Sequence, residues 1–394
     1  MSIWKQIKIG EIGDVIGGGT PSTNNDLYYG EDIPWITPRD LSGYQSMYIS
    51  KGARGITKLG LMNSSARILP KGTVLFSSRA PIGYVAIAEN EVTTNQGFKS
   101  IVCDEKIANN KFIYYSLLFN KEKIESVASG STFKEISGNV LKNLEILLPD
   151  IKAQEEIAEI LSSLDDKIEL NRKINANLEK MASALFKKWF VDFEFPDKDG
   201  KPYKTSGGQM VISELGEIPN SWSILSLKDF FPIITGKKDA NVATQHGQYP
   251  FFSCSQGVLH TDEYSFDSSS ILLSGNGDFN VKWYEGKFDA YQRTYVLTPK
   301  NKLFLGFLFY AIKYFLDDIT AGHRGSVIRF ITKGMIEDFK IAVPSDLVLK
   351  NMATFFYENN QTIDFHKREI DSLSQIRDSL LPRLMNGKIR VKIK

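Results

Sequence analysis

The sequence contains two long, similar segments whose patterns predict helices, and they are 195 residues apart. Residues 149–181 and 344–376 align at this constant offset without a gap. In both segments the apolar residues recur in alternating steps of four and three, which is the spacing of a coiled-coil seam. A helix of about 40 residues is about 60 Å long at 1.5 Å per residue, too long to bury its stripe against one small domain. We therefore expect the two helices to pair with each other.

The predicted seam comprises thirteen apolar positions on the two helices. They are Ile157, Leu161, Leu164, Ile168, Leu178, Met181 and Leu185 in the first, and Met352, Phe356, Ile363, Leu373, Ile376 and Leu380 in the second. Two steps of the first seam are polar, at Asn171 and Asn175. These residues either fix the register of the pair or mark a solvated interruption of the heptads.

The repeat extends beyond the helices to the segments that precede them. Trp4 corresponds to Trp222 and Gly18 to Gly236, and the offset falls from 218 to 195 along each half, so the second copy has shorter loops. Short β-branched and aromatic runs separated by Gly, Asn and Pro predict strands, with helices expected at 110–126 and 303–320. A Gly- and Pro-rich linker, 195–209, separates the halves.

These features predict an α+β chain of two similar globular α/β domains and two long helices, which is consistent with a length of 394 residues. The helices are expected to pair as an antiparallel coiled coil about an internal pseudo-twofold, because a closed pairing of two like units is symmetric. The predicted boundaries are 1–149 for the first domain, 150–194 for the first helix, 195–344 for the linker and second domain, and 345–394 for the second helix and tail.

Composition indicates a cytoplasmic protein. The start of the sequence has no signal-peptide pattern, the most apolar stretch (303–316) is too short to span a bilayer, and two isolated cysteines suggest a reducing compartment. The net charge is +2, and the first 150 residues hold 16 Lys and Arg against 15 Asp and Glu, so no domain-wide basic field indicates nucleic acid. Contacts that are local, or shared with a partner, remain compatible with this balance.

No catalytic motif emerges from the sequence. Gly17, Gly18 and Gly19 lie in a predicted turn, but no phosphate-binding pattern follows them. The four histidines have no metal-ligand spacing with the cysteines. We therefore predict no catalytic residues, no metal and no cofactor in this chain.

The ordered set of motifs resembles the specificity subunits of type I DNA restriction–modification systems. The set is a Trp followed by Gly-Gly-Thr-Pro, then Ile-Pro-Trp-Ile, Gly-Ser-Thr, Leu-Pro and Gln-Glu-Glu-Ile-Ala before a long helix, and the whole unit then recurs in altered form. The resemblance implies that the domains are target recognition domains, each reading one half of a bipartite site in double-stranded DNA. It also implies that the helices set the unread spacer and bind two methyltransferase subunits, which carry S-adenosylmethionine, with restriction subunits joining through that complex and no membrane partner.

Base reading requires bidentate Arg, Asn, Gln and Lys side chains on exposed loops, with Ser and Thr suited to phosphates. The repeat places such residues in corresponding turns, with Gln96 and Gln292 as the best-matched pair. The predicted DNA-binding residues are Thr20, Ser22, Thr23, Arg39, Arg79, Asn95 and Gln96 in the first domain, and Lys237, Lys238, Gln292, Arg293, His323 and Arg324 in the second.

Two other classes of function remain open at this point. One is a DNA-acting enzyme, such as a nuclease or hydrolase, with an unrecognised motif; the absence of motifs weighs against it. The other is a structural scaffold that does not bind DNA. The two domains carry different loop residues although the two helices align without a gap, which argues against a scaffold.

Overall fold

The computed structural model of the chain describes residues 4–79, 81–129, 134–244, 247–321 and 330–392. It divides into two compact units, Met1–Arg172 with Arg368–Lys394 (unit 1) and Lys173–Lys367 (unit 2). Both boundaries fall inside the long helices, so each unit contains one globular part and a segment of both helices.

Unit 1 contains a five-stranded sheet, a three-stranded sheet and a two-stranded ribbon, with strand orders β2-β9-β6-β7-β4, β5-β3-β8 and β1-β10. The strands are β1 (Lys5–Lys8), β2 (Gly13–Gly17), β3 (Tyr29–Ile36), β4 (Tyr48–Ile49), β5 (Arg54–Ile56), β6 (Val74–Ser78), β7 (Ile82–Ala88), β8 (Thr93–Thr94), β9 (Lys99–Cys103) and β10 (Glu145–Leu148). The helices are α1 (Lys58–Met62), α2 (Asn110–Phe119), α3 (Lys121–Ser126), α4 (Gly138–Asn143) and α5 (Ile151–Phe186).

Unit 2 contains a six-stranded sheet of order β14-β19-β17-β18-β15-β16 and the two-stranded ribbons β13-β20 and β11-β12. Its strands are β11 (Met210–Ser213), β12 (Gly216–Pro219), β13 (Ser223–Ser226), β14 (Ile233–Thr235), β15 (Tyr249–Phe252), β16 (Leu259–Thr261), β17 (Phe266–Ser274), β18 (Val281–Ala290), β19 (Thr294–Leu297) and β20 (Lys340–Val343). Its helices are α6 (Leu227–Phe230), α7 (Leu305–Tyr314), α8 (Leu316–Thr320), α9 (Lys333–Glu337) and α10 (Asp346–Met385).

The two units share part of their topology, since the order β2-β9-β6-β7 in unit 1 corresponds to β14-β19-β17-β18 in unit 2. In each, a first strand pairs antiparallel with the strand that precedes a long helix: β1 with β10, and β13 with β20. A parallel contact also recurs, Trp35 beside Thr93 in unit 1 and Phe251 beside Asp289 in unit 2. The predicted helical segments 110–126 and 303–320 are present, as α2 with α3 and as α7 with α8.

Each globular part is attached to a long helix by a buried tyrosine. In unit 1 the Tyr115 hydroxyl donates to Asp165 Oδ2 at 2.5 Å, and Arg377 pairs with the other carboxylate oxygen at 2.6 Å. In unit 2 the equivalent Tyr310 donates to Asn360 Oδ1 at 3.0 Å. Burial and the neighbouring Asp165 carboxylate raise the pKa of Tyr115, so it remains a hydrogen-bond donor.

Within each unit the two helical segments run in opposite directions. In unit 1, Asp165 meets Arg377 while Asn171 meets Glu369. In unit 2, the Asn175 amide donates to Ile363 O at 3.2 Å while the Asn359 amide donates to Leu178 O at 3.5 Å. The Asn175 side-chain oxygen also lies 2.8 Å from His366 Nδ1. Asn171 and Asn175 are buried. Their partners across the helices favour the register role over a solvated interruption.

The predicted seam is wrong at two positions. Met181 and Ile376 are 48 % exposed, whereas Ala182 and Phe186 are buried. A straight helix drifts by about 20° per heptad relative to a 3.5-residue repeat, so the buried face of α5 moves to the next residue after about three heptads. Of the other seam positions, Ile157, Leu161, Ile168, Met352, Phe356 and Ile363 are buried, and Leu164, Leu178, Leu185, Leu373 and Leu380 are half-buried.

Candidate nucleic-acid interface

Two loops that are distant in sequence meet at one edge of the unit 1 sheet. One follows β2 and carries Thr20, and the other is the turn between β8 and β9 that carries Gln96. The Gly19 N–H donates to Thr94 O at 2.9 Å, and the Thr20 hydroxyl donates to the side-chain oxygen of Gln96. Asn95 uses its side-chain oxygen to accept from the Gly97 N–H at 2.9 Å, which shapes the turn. The structure thus brings together the exposed Gln96 and the half-buried Thr20.

A glycine makes this approach of the two loops possible. A Cβ on Gly18 would lie 2.0 Å from Asn95 O and 2.4 Å from Thr94 O, so a side chain does not fit without moving the backbone. A Cβ on Gly236 would lie 2.1 Å from Ala290 O and 2.3 Å from Tyr291 O. Gly18 and Gly236, which correspond in the sequence repeat, are therefore both required by a close approach of two backbone segments.

Unit 2 joins the corresponding loops through its backbone. The Gln292 N–H donates to Lys238 O at 2.9 Å, so the turn after β18 meets the loop after β14. Gln292 and Arg293 are exposed there. The side chain of Lys238 bonds Glu263 at 2.9 Å, and this hydrogen bond raises the pKa of Lys238 and lowers that of Glu263.

An ionic cluster lies near the unit 1 loops. Arg79, at the end of β6, is 3.6 Å from Glu135, which is also 3.5 Å from Lys99. Sequence reasoning included Arg79 but missed Lys99 and Glu135, because their pairing joins residues that lie far apart in the chain.

The remaining predicted residues are placed as follows. Ser22, Thr23 and Arg39 are exposed, and the Lys237 ammonium lies 5.4 Å from the centroid of the Phe266 ring. His323 and Arg324 lie outside the described residues. The DNA-binding role of all the named residues stays a prediction.

Within the described part of the chain, no cluster of His, Cys, Asp and Glu side chains could hold a metal ion. Burial raises the pKa of the Cys103 thiol to about 12, so this cysteine is protonated and a poor nucleophile at neutral pH. None of the helices in the described residues is long and apolar enough to cross a membrane. In each unit, the geometry brings two polar loops together.

Comparison with known proteins identifies the class of protein that this repeated architecture defines. Residues 1–180 and 219–375 match the family model described as the type I restriction modification DNA specificity domain. The chain belongs to this family, and it is a DNA specificity subunit with two target recognition domains in tandem.

Particular relatives agree with this assignment. The chain is 34 % identical to the type I restriction enzyme MjaIX specificity subunit of Methanocaldococcus jannaschii, over 99 % of this chain and 94 % of the relative. It is 37 % identical to the Escherichia coli EcoDI specificity subunit over 44 % of this chain and 40 % of the relative. Its fold is similar to the crystal structure of the type I S subunit from M. genitalium, with a TM-score of 0.66 and 21 % identity, covering 98 % of this chain and 96 % of that one.

Proposed function

We propose that unit 1 and unit 2 each read one half of a bipartite DNA site through their paired loops. The observation that carries this proposal is that the same two loops meet in both units, through the Thr20 and Gln96 side chains in unit 1 and through the Gln292 N–H and Lys238 O in unit 2. Two domains that keep the same contact between loops but carry different polar side chains are suited to recognising different base sequences.

The test is to co-express the chain with its methyltransferase subunit in a host that lacks other methylation and to sequence the methylated DNA. The expected result is one asymmetric motif of two short defined blocks separated by a fixed unread gap. A single undivided motif, or methylation without sequence preference, would contradict the proposal.

We further propose that α5 and α10 form an antiparallel coiled coil with pseudo-twofold symmetry, which sets the gap and binds two methyltransferase subunits. The chain itself has no catalytic role in this proposal. S-adenosylmethionine is bound by the methyltransferases, restriction subunits join through them, and the assembly acts in the cytoplasm. The opposed helix directions within each unit support the pairing.

The docking surface proposed for the methyltransferases includes equivalent exposed apolar residues on the two helices. Leu170 on α5 is 50 % exposed, and Phe365, 195 residues later on α10, is 64 % exposed. Met181 and Ile376, exposed rather than in the seam, form a second equivalent pair. Large apolar side chains that recur at equivalent helix positions suit two copies of one partner.

Leu170→Asp and Phe365→Asp should each remove one methyltransferase subunit, and the double variant should bind none. A charge placed in an apolar contact typically weakens association by more than about 2 kcal/mol, about thirtyfold. Native mass measurement of the purified complexes should show two methyltransferase subunits per unchanged chain, one per single variant and none per double variant. Lys167 is a poorer choice for this test because it pairs with Glu369 at 3.4 Å.

Ile212→Asp provides the matched control. Ile212 lies on the β11–β12 ribbon, away from the helices in sequence, and is 90 % exposed. This variant should retain the two-to-one complex. Equal loss of methyltransferase from the control and the helix variants would contradict the proposed surface.

A further inference from the structure

Two aromatic residues hold the unit 1 loop that carries Thr20. The Trp35 indole N–H donates to Gly19 O at 3.0 Å, and the Tyr29 hydroxyl donates to Pro21 O at 2.8 Å. Their rings meet edge to face with centroids 5.9 Å apart. Tyr29 is therefore held against the loop by its hydroxyl and against Trp35 by its ring.

Arg54 is stacked on this fixed ring. Its guanidinium carbon lies 3.6 Å from the centroid of Tyr29. Arg54 is exposed, and among the residues that the structure describes no carboxylate lies within ion-pair distance of it. Arg79 differs in this respect, because Glu135 already engages it at 3.6 Å. Stacking restricts the guanidinium plane while leaving its N–H edge open to a planar pair of acceptors.

The equivalent position in unit 2 carries a chemically different side chain on a similar pair of strands. In unit 1, β3 and β5 place Trp35 opposite Arg54. In unit 2, β15 and β16 place Phe251 opposite Leu259, which is exposed. The buried aromatic is retained and the exposed neighbour changes from a cation to an apolar residue. Such a change is expected where a side chain discriminates between DNA sequences, because a leucine contacts a thymine methyl but not a guanine edge.

The charges around Arg54 favour a base over a phosphate. Arg54 and Lys51 line a cleft of about 560 Å³ together with Asp26 and Glu31. Two carboxylates beside two cations leave little net attraction for a phosphate group. A guanine edge is neutral and presents the O6 and N7 acceptors in one plane, which matches the fork of an arginine.

We propose that Arg54 reads a guanine in the half-site recognised by unit 1. Tyr29 is the positioning residue that orients the guanidinium, and the Thr20–Gln96 loops contact neighbouring bases. This inference rests on the proposed function, because it requires that unit 1 read a half-site of its own.

The test is a set of binding titrations with the assembled methyltransferase complex. The duplexes carry the motif that methylation sequencing identifies, and each base pair of both half-sites is substituted in turn. For Arg54→Ala, discrimination at one G·C pair of one half-site should fall at least tenfold, and discrimination in the other half-site should stay unchanged. Arg54→Lys should show the same loss, because lysine keeps the charge but not the planar fork.

Arg383→Ala, which removes an exposed arginine at the end of α10, is the control for loss of charge and should match the unchanged chain. A uniform weakening across all duplexes with a smaller salt dependence would identify a phosphate contact and overturn the base assignment. Unchanged discrimination in Arg54→Ala, or full discrimination in Arg54→Lys, would also overturn it. If the unsubstituted complex shows no two-block preference, the proposed function itself fails, which is a distinguishable outcome.

Discussion

Gly18→Ala should remove recognition of the unit 1 half-site while leaving recognition by unit 2 intact. The new Cβ would lie 2.0 Å from Asn95 O, a distance that forces the loop carrying Thr20 away from Gln96. Overpacking of this kind costs about 1–3 kcal/mol. If that cost falls on the bound geometry, affinity for the full site drops by about 5- to 160-fold.

Gly17→Ala is the matched control, because its added Cβ would meet only Lys99 Cδ at 3.9 Å, an ordinary contact. Binding should be measured with the intact motif and with either half-site scrambled. In Gly18→Ala, scrambling the unit 1 half-site should cause no further loss, whereas scrambling the other should. Gly236→Ala should show the reverse pattern. Identical behaviour of the Gly17 and Gly18 variants would exclude the proposed role of this loop contact.

Arg377→Ala should lower the free energy of unfolding by about 3 kcal/mol, because it leaves the Asp165 carboxylate without its cation. The Asp165 side chain is 15 % exposed and that of Arg377 is 27 % exposed, so water compensates only part of the loss. The Tyr115 hydrogen bond alone cannot replace an ion pair. Urea unfolding of the purified chain, followed by circular dichroism, measures this change.

The second half of the chain suggests the rescue for this variant. There, Tyr310 bonds the neutral Asn360, and the position equivalent to Arg377 is Ala182. Asp165→Asn combined with Arg377→Ala reproduces that arrangement in unit 1 and should recover most of the lost stability. Arg383→Ala serves as the control and should change stability by less than about 0.5 kcal/mol. A double variant as unstable as Arg377→Ala would show that the charge of Asp165 is not the cause.

Local pattern was sufficient to predict the repeat, the two long helices and the glycines that let the polar loops meet. The heptad spacing from Ile157 to Ile168 and the matched pair Gly18 and Gly236 are properties of short windows, and each has one dominant physical cause. The correspondence of Gln96 with Gln292 followed from the alignment of the halves alone.

Tertiary structure decided which side chains share a surface. The exposure of Met181, the pairing of Arg79 with Glu135 and the stacking of Arg54 on Tyr29 depend on residues that lie far from each other in the chain. A helical period specifies a stripe, but its drift relative to 3.5 residues and the domain packed beside it determine which residues of that stripe are covered. Arg54 has no sequence motif of its own, because its orientation comes from an aromatic ring 25 residues earlier in the chain. The sequence by itself therefore determined the architecture and the class of protein, and only the tertiary structure identified Arg54 as a candidate reader.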